Sequence, residues 1–151
     1  MSKGGLLYHF KSKDGLVAAM VARMNEGFAA QVQAQAEKDS EPPGVRSRAY
    51  LGAMVGEERP DARNVTGSAL LAAVALAPSL LDDLRVAYAQ WRVEVAHGGI
   101  SPEDAAIVTL AADGLWMADV LGFAPPQGEE RRRIIERLLE LGGAKPAGPA
   151  G

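Results

Sequence analysis

Apolar residues recur at helical spacing along almost the whole of this chain. Leu16, Met20, Met24, Phe28 and Val32 follow one another every four positions, and Val17 and Val21 widen the stripe. That pattern predicts a long helix from Lys13 to about Asp39, with Ser12 in front of it as a hydroxyl cap. Glu41-Pro42-Pro43-Gly44 ends it, because proline lacks the N–H that the helix ladder needs. A second helix is expected over roughly Val45 to Glu58, with Tyr50, Leu51, Met54 and Val55 on one side and Arg59-Pro60-Asp61 as its stop. Thr66 to Ala77 is a nearly continuous apolar run, in which periodicity does not separate a buried strand from a buried helix. Its alanine content and few β-branched residues favour helix. Pro78 restarts the chain, and Leu80, Leu84, Tyr88, Trp91 and Val95 form the next stripe, which Gly98-Gly99 closes.

Ser101-Pro102-Glu103-Asp104 is a strong start signal: a capping serine, a proline at the first helical position, and acids facing the positive end of the helix dipole. Ile107, Leu110, Ala111, Gly114, Leu115, Ala118 and Leu121 then give one helical face, ended by Gly122-Phe123-Ala124-Pro125-Pro126. The last helix is expected from Glu129 to Leu141, with Ile134, Ile135, Leu138 and Leu139 on its apolar side. Gly142 to Gly151 is a Gly/Pro/Ala tail expected to be disordered. No segment reads as a strand, and no internal repeat is visible. The fold class is therefore all-α: a helical bundle of about six longer helices behind a short N-terminal segment.

Composition narrows the function. A chain of 151 residues suits one domain. Its 48% hydrophobic and 23% charged residues are ordinary for a globular protein. The absence of cysteine excludes disulfides and thiolate metal sites, and fits a reducing cytoplasm. The longest apolar run, Ala69 to Ala77, is far short of the ~20 residues of a membrane span, and Leu6-Leu7 runs straight into Tyr-His-Phe-Lys instead of a signal-peptide core. The net charge of −3 hides an asymmetry. Residues 1–24 carry Lys3, Lys11, Lys13 and Arg23 against Asp14 alone, so the front end is +3 and the remainder −6. Only that front end is suited to meeting phosphate.

The first sixteen residues carry the densest motif: Met1-Ser2-Lys3-Gly4-Gly5-Leu6-Leu7-Tyr8-His9-Phe10-Lys11-Ser12-Lys13-Asp14-Gly15-Leu16. This resembles the recognition-helix signature of TetR-type bacterial repressors, in which a Ser-x-x-x-Leu-Tyr-x-His-Phe-x-Ser-Lys-x-x-Leu string joins a helix-turn-helix to a ligand domain. A loose Asp113-Gly114-Leu115 match late in the chain is the only further motif. The resemblance implies residues 1–12 as a remnant of the DNA-binding domain (its recognition helix), 13–141 as an effector-binding and dimerisation domain, and 142–151 as the tail. It also implies DNA contacts at Ser2, Lys3, Gly4, Tyr8, His9 and Lys13, with Phe10 packing inward. Lys3 and His9 would reach base edges or phosphates, Tyr8 a phosphate, and Lys13 a phosphate beside free N–H groups at the start of its helix. The string begins at residue 1, where a valine codon read as a start would also give Met1. The expectation is a start assigned too far downstream or a truncation, with poor operator binding by the chain as it stands.

Tyr50, Met54, Tyr88, Trp91, Trp116 and Met117 lie on separate expected helices that can converge on one cavity. They suit a small apolar or aromatic effector, with Asp113 to orient it. Such residues at helical spacing also serve as plain core. His97, at a helix end, reads as a favourable charge near a C-terminus, and Asp82-Asp83 as a first-turn dipole pair. With no HExxH, GxSxG or P-loop there is no catalytic, metal or cofactor signal. Two classes remain: a one-component transcriptional regulator, acting as a homodimer on a double-stranded operator, and a stand-alone small-molecule-binding or dimerisation module. The dimer is expected to pair Ser101–Leu121 and Glu129–Leu141 of each subunit as a four-helix bundle, since small residues allow close approach and the terminal helix has a wide apolar face.

Overall fold

The computed structural model describes residues 12–56 and 81–144, and these form five helices with no strand among them. They are α1 (Lys13–Lys38), α2 (Val45–Val55), α3 (Asp82–Ala96), α4 (Pro102–Leu121) and α5 (Gly128–Leu141). The expected helix over Thr66–Ala77 and the DNA-contact residues Ser2, Lys3, Gly4, Tyr8 and His9 lie outside the described residues.

Both serine caps form as the sequence predicts. Ser12 Oγ accepts from the Gly15 N–H at 3.0 Å, so Lys13 is the first residue of α1. Ser101 Oγ accepts from the Asp104 N–H at 3.0 Å and donates to the Asp104 carboxylate at 2.8 Å. Helix α2 is shorter than expected, ending at Val55 with Gly56 as its cap, and α3 begins at Asp82.

The core forms in two parts. Val17 and Val21 of α1 meet Leu84 of α3, with Met24, Leu81 and Tyr88 packed alongside. The larger part joins Val32 of α1, Ala49 to Leu51 and Met54–Val55 of α2, Val95 of α3, Ala105, Val108, Ala112 and Leu115 of α4, and Leu138 of α5. Every residue of the predicted α2 side is therefore buried.

Helix α4 departs from its predicted face. Its buried residues are Ala105, Val108, Thr109, Ala112 and Leu115, whereas Ile107 and Leu110 remain 49% and 71% exposed. The helix is apolar around most of its circumference, so the pattern alone offered more than one face for burial. Helix α5 buries Leu138, and Ile134, Ile135 and Leu139 are partly buried against the core around it. Its outer side is a lattice of ion pairs, with Glu129 meeting Arg132 at 2.5 Å and Arg133 at 3.0 Å.

Arg48 clamps the bottom of the bundle. Its Nε donates to Asp39 at 2.7 Å, and its other nitrogens donate to the carbonyls of Glu41, Pro43 and Gly142. The guanidinium holds the Asp39 carboxyl below its ordinary range. The expectation that disorder starts at Gly142 is corrected for its first residues. Gly142 is buried, and the N–H of Ala144 donates to Leu139 at 2.9 Å. The chain passes so close here that a Cβ on Gly44 would stand 1.8 Å from the Gly142 carbonyl oxygen, and Gly44 also has φ +89°.

This crossing predicts opposite outcomes for two glycines. Gly44→Ala should cost at least about 2 kcal/mol, from left-handed backbone strain and overpacking. Gly27→Ala, in mid-helix with nothing near its would-be Cβ, should add roughly 0.5–1 kcal/mol. Thermal unfolding followed by circular dichroism should show the first midpoint falling and the second rising.

Candidate ligand-binding site

Four helices deliver aromatic and acidic side chains to one place. Phe28 comes from the inward stripe of α1, Tyr50 from the buried side of α2, Tyr88 and Trp91 from successive turns of α3, and Asp113 from α4. The rings meet edge to face, the arrangement that sets a positive ring edge against a negative π-face. Phe28 and Trp91 have centroids 4.7 Å apart at 70°, Phe28 and Tyr50 are 5.2 Å apart at 84°, and Tyr88 and Trp91 are 5.1 Å apart at 63°.

The polar centre is one hydrogen bond. The Tyr50 hydroxyl donates to Asp113 Oδ1 at 2.6 Å, with the phenol almost wholly buried and the carboxylate half-buried. Burial is the first cause that pushes the Asp113 carboxyl above its usual range, and the Tyr50 bond pulls the other way. Burial and then the Asp113 charge drive the Tyr50 phenol far above the ordinary tyrosine range. The Tyr88 phenol is pushed up to about 12, again by burial first and then by Asp113. Among the described residues no cation forms an ion pair with Asp113. Elsewhere the half-buried carboxylates of Asp39 and Asp119 each hold an arginine, Arg48 at 2.7 Å and Arg131 at 2.8 Å.

Of the ligand-site residues expected from sequence, Tyr50, Tyr88, Trp91 and Asp113 come together. Met54 lies one turn beyond Tyr50 and is buried in the same core, and Trp116 packs against that core partly buried. Met117 does not join them: it is 44% exposed on the outer side of α4, because its neighbours Leu115 and Trp116 take the inward positions. Phe28 was missed as a site residue, although its place in the every-fourth stripe of α1 already directed it inward. Asn25, one turn before Phe28 on α1, has its Oδ1 sealed from solvent without a hydrogen-bond partner. His97 Nδ1 sits 2.7 Å from the Val93 carbonyl of its own helix end, away from this cluster. A shallow groove of about 510 Å³ runs along the outer side of α3, lined by Val86, Ala89, Gln90, Val93 and Glu94. It shares no residue with the aromatic cluster.

Residues 44–142, about two thirds of the chain, match the family model described as tetracyclin repressor-like, C-terminal domain. The chain belongs to that family, TetR, which its N-terminal string resembles. No curated protein and no solved structure matches the chain. Among the described residues no helix is long and apolar enough to cross a membrane, and no acidic or histidine group is arranged to hold a metal ion.

The raised Asp113 pKa carries a stability prediction with a definite sign. The folded state holds this proton more tightly than the unfolded state does, so folding loses free energy as pH rises from the unfolded value of 3.8 through the raised folded one. Asp113→Asn keeps an oxygen to accept from Tyr50 and removes the charge. It should raise the melting midpoint at pH 7, and the gain should vanish below about pH 3.8.

Proposed function

We propose that the chain is the effector-binding and dimerisation part of a TetR-type transcriptional regulator, most simply a repressor, acting on operator DNA in the cytoplasm. Residues 1–12 are read as the end of the DNA-reading module and residues 13–141 as the sensing and dimer part. The convergence of Phe28, Tyr50, Tyr88 and Trp91 around Asp113 is the observation that carries the reading. It joins α1, which leads from the DNA-reading string, to the helices of the sensing core. A small aromatic effector entering among these rings would displace Phe28, tilt α1 and change the spacing of two recognition helices in a dimer. No catalytic role, metal or cofactor is part of this proposal.

The second reading, a stand-alone ligand-binding or dimerisation module, differs in what precedes Ser2 in the gene. Reading the DNA upstream of the Met1 codon tests the two. An in-frame stretch encoding two further helices supports the regulator, and the chain so extended should shift its own promoter fragment in a gel. A chain so extended that fails to bind that fragment would favour the module.

A homodimer is part of the proposal, and the exposed apolar residues of α4 support a contact there. Ile107, Leu110, Gly114 and Met117 follow one another along the outer side of α4, with Phe123 just past its end. Among the described residues the exposed large hydrophobics are Ile107, Leu110, Met117 and Phe123, the last 70% exposed, with Val86 and Val93 on α3; α5 has none. Burying one such side chain contributes roughly 1.5–3 kcal/mol, and an isologous contact buries each of them twice. Leu110→Glu should give a monomer mass in light scattering at micromolar concentration, with its helical signal unchanged. A dimer that survives the substitution would move the interface elsewhere.

A further inference from the structure

We infer that the ligand of the aromatic cluster is an organic cation, a flat or compact molecule bearing a quaternary or aromatic nitrogen whose positive charge rests against Asp113. The inference rests on the reading of this cluster as the effector site, and adds the charge of the ligand to it.

Three features of the site agree on that sign. The first is the carboxylate itself. Among the described residues Asp39 and Asp119 are each paired with an arginine and Asp104 is held by the Ser101 cap, whereas Asp113, in the middle of the bundle, has a phenol. A phenol hydrogen bond stabilises the charge without cancelling it, so the carboxylate stays above its ordinary pKa. A neutral ligand would leave that electrostatic cost in place and an anion would add to it; a cation removes it. The second feature is the rings. Phe28, Tyr50, Tyr88 and Trp91 pack edge to face in one cluster, and a π-face uncovered by an entering ligand attracts a positive charge through its negative quadrupole. The third is the balance of donors and acceptors. The one proton of Tyr50 is held by Asp113, and its hydroxyl also meets that of Tyr88, so the phenol presents no free donor to a ligand. Asn25 adds an unpartnered, solvent-sealed carbonyl oxygen one turn from Phe28 on α1. Acceptors and aromatic rings with no cation beside them among the described residues complement a positively charged group.

The test uses three two-ring probes of similar shape and different charge: N-methylquinolinium, 1-methylnaphthalene and 1-naphthoate, measured by equilibrium dialysis against the full chain at pH 7. The cation should bind at least tenfold tighter than the neutral probe, and the anion most weakly. Asp113→Asn should lose about tenfold in N-methylquinolinium affinity and leave 1-methylnaphthalene unchanged, with melting curves confirming that the variant is folded. Equal or tighter binding of 1-methylnaphthalene by the wild type overturns the charge preference and leaves the ligand site standing. Should none of the probes bind the folded chain, the site reading falls and the charge inference with it. The wild-type ranking decides the matter even if the variant does not fold.

Discussion

The hydrogen bond from Tyr50 to Asp113 determines where the helices of this domain meet. It spans 63 residues of sequence and ties the middle of α2 to the middle of α4. Because the phenol is almost wholly buried, its hydroxyl needs an acceptor, and an unsatisfied one would cost about 1–3 kcal/mol. Asp113 in turn needs donors once it is drawn out of water. Each group makes the burial of the other tolerable, and the rings of Phe28 and Trp91 close around the pair. Losing either partner would leave a polar group stranded among aromatics.

Away from this centre the bundle is held by a different kind of contact. Arg48 gathers Asp39, the Glu41 and Pro43 carbonyls and the Gly142 carbonyl, so the α1–α2 turn and the end of α5 share one guanidinium. Arg131 joins α5 to α4 by a two-pronged bond to Asp119, at 3.1 and 2.8 Å. These two arginines fix the outer helices through geometry that a lysine does not reproduce, since only the planar fork offers parallel donors. The described residues therefore fasten the bundle by arginine at its periphery and place no ion pair on the acid at its centre. That contrast is a property of the fold and not of composition.

How far the sequence could be read depended on how one-sided each helix is. In α1, α2 and α3 the apolar stripes contain the buried positions, Val17, Val21 and Val32, then Tyr50, Leu51 and Met54, then Leu84 and Val95, while Leu16, Met20, Met24 and Phe28 of α1 and Tyr88 and Trp91 of α3 are partly buried. In α4 nearly every position is apolar or small, so the inward face is chosen by its neighbours. Tyr50 sets it by requiring Asp113, and the residues one turn to either side, Thr109 before and Trp116 after, follow inward. In α5 the apolar stripe was plain, and it names the buried Leu138 and the partly buried Ile134, Ile135 and Leu139. How much of it meets the same chain depends on the path between helices, which periodicity does not encode. The site was legible as residue types on separate helices, and the TetR string named the family. Phe28 was not legible as a site residue because its contacts with Trp91 and Tyr50 depend on how α1 crosses the bundle.

That crossing makes α1 the element through which the core and the chain's front end can communicate. Its 26 residues span about 39 Å, and Phe28 stands about 22 Å along the axis from Lys13. Behind Phe28 the helix is held by Val32 in the main core, and ahead of it by Val17 and Val21 against Leu84 in the smaller one. A ligand displacing the Phe28 ring would therefore act between two points of contact. The contact that yields sets the response: if the Leu84 contact slides, the front end swings; if it holds, α1 bends and the motion is absorbed. The smaller cluster has three buried side chains, Val17, Val21 and Leu84, against the much larger set around Tyr50. Packing free energy scales with the apolar area removed from water, so the front contact is the weaker of the two. Tight ligand binding alone would not move it. The ligand must favour one tilt of α1 over the other, and only that difference in affinity is available to shift the helix.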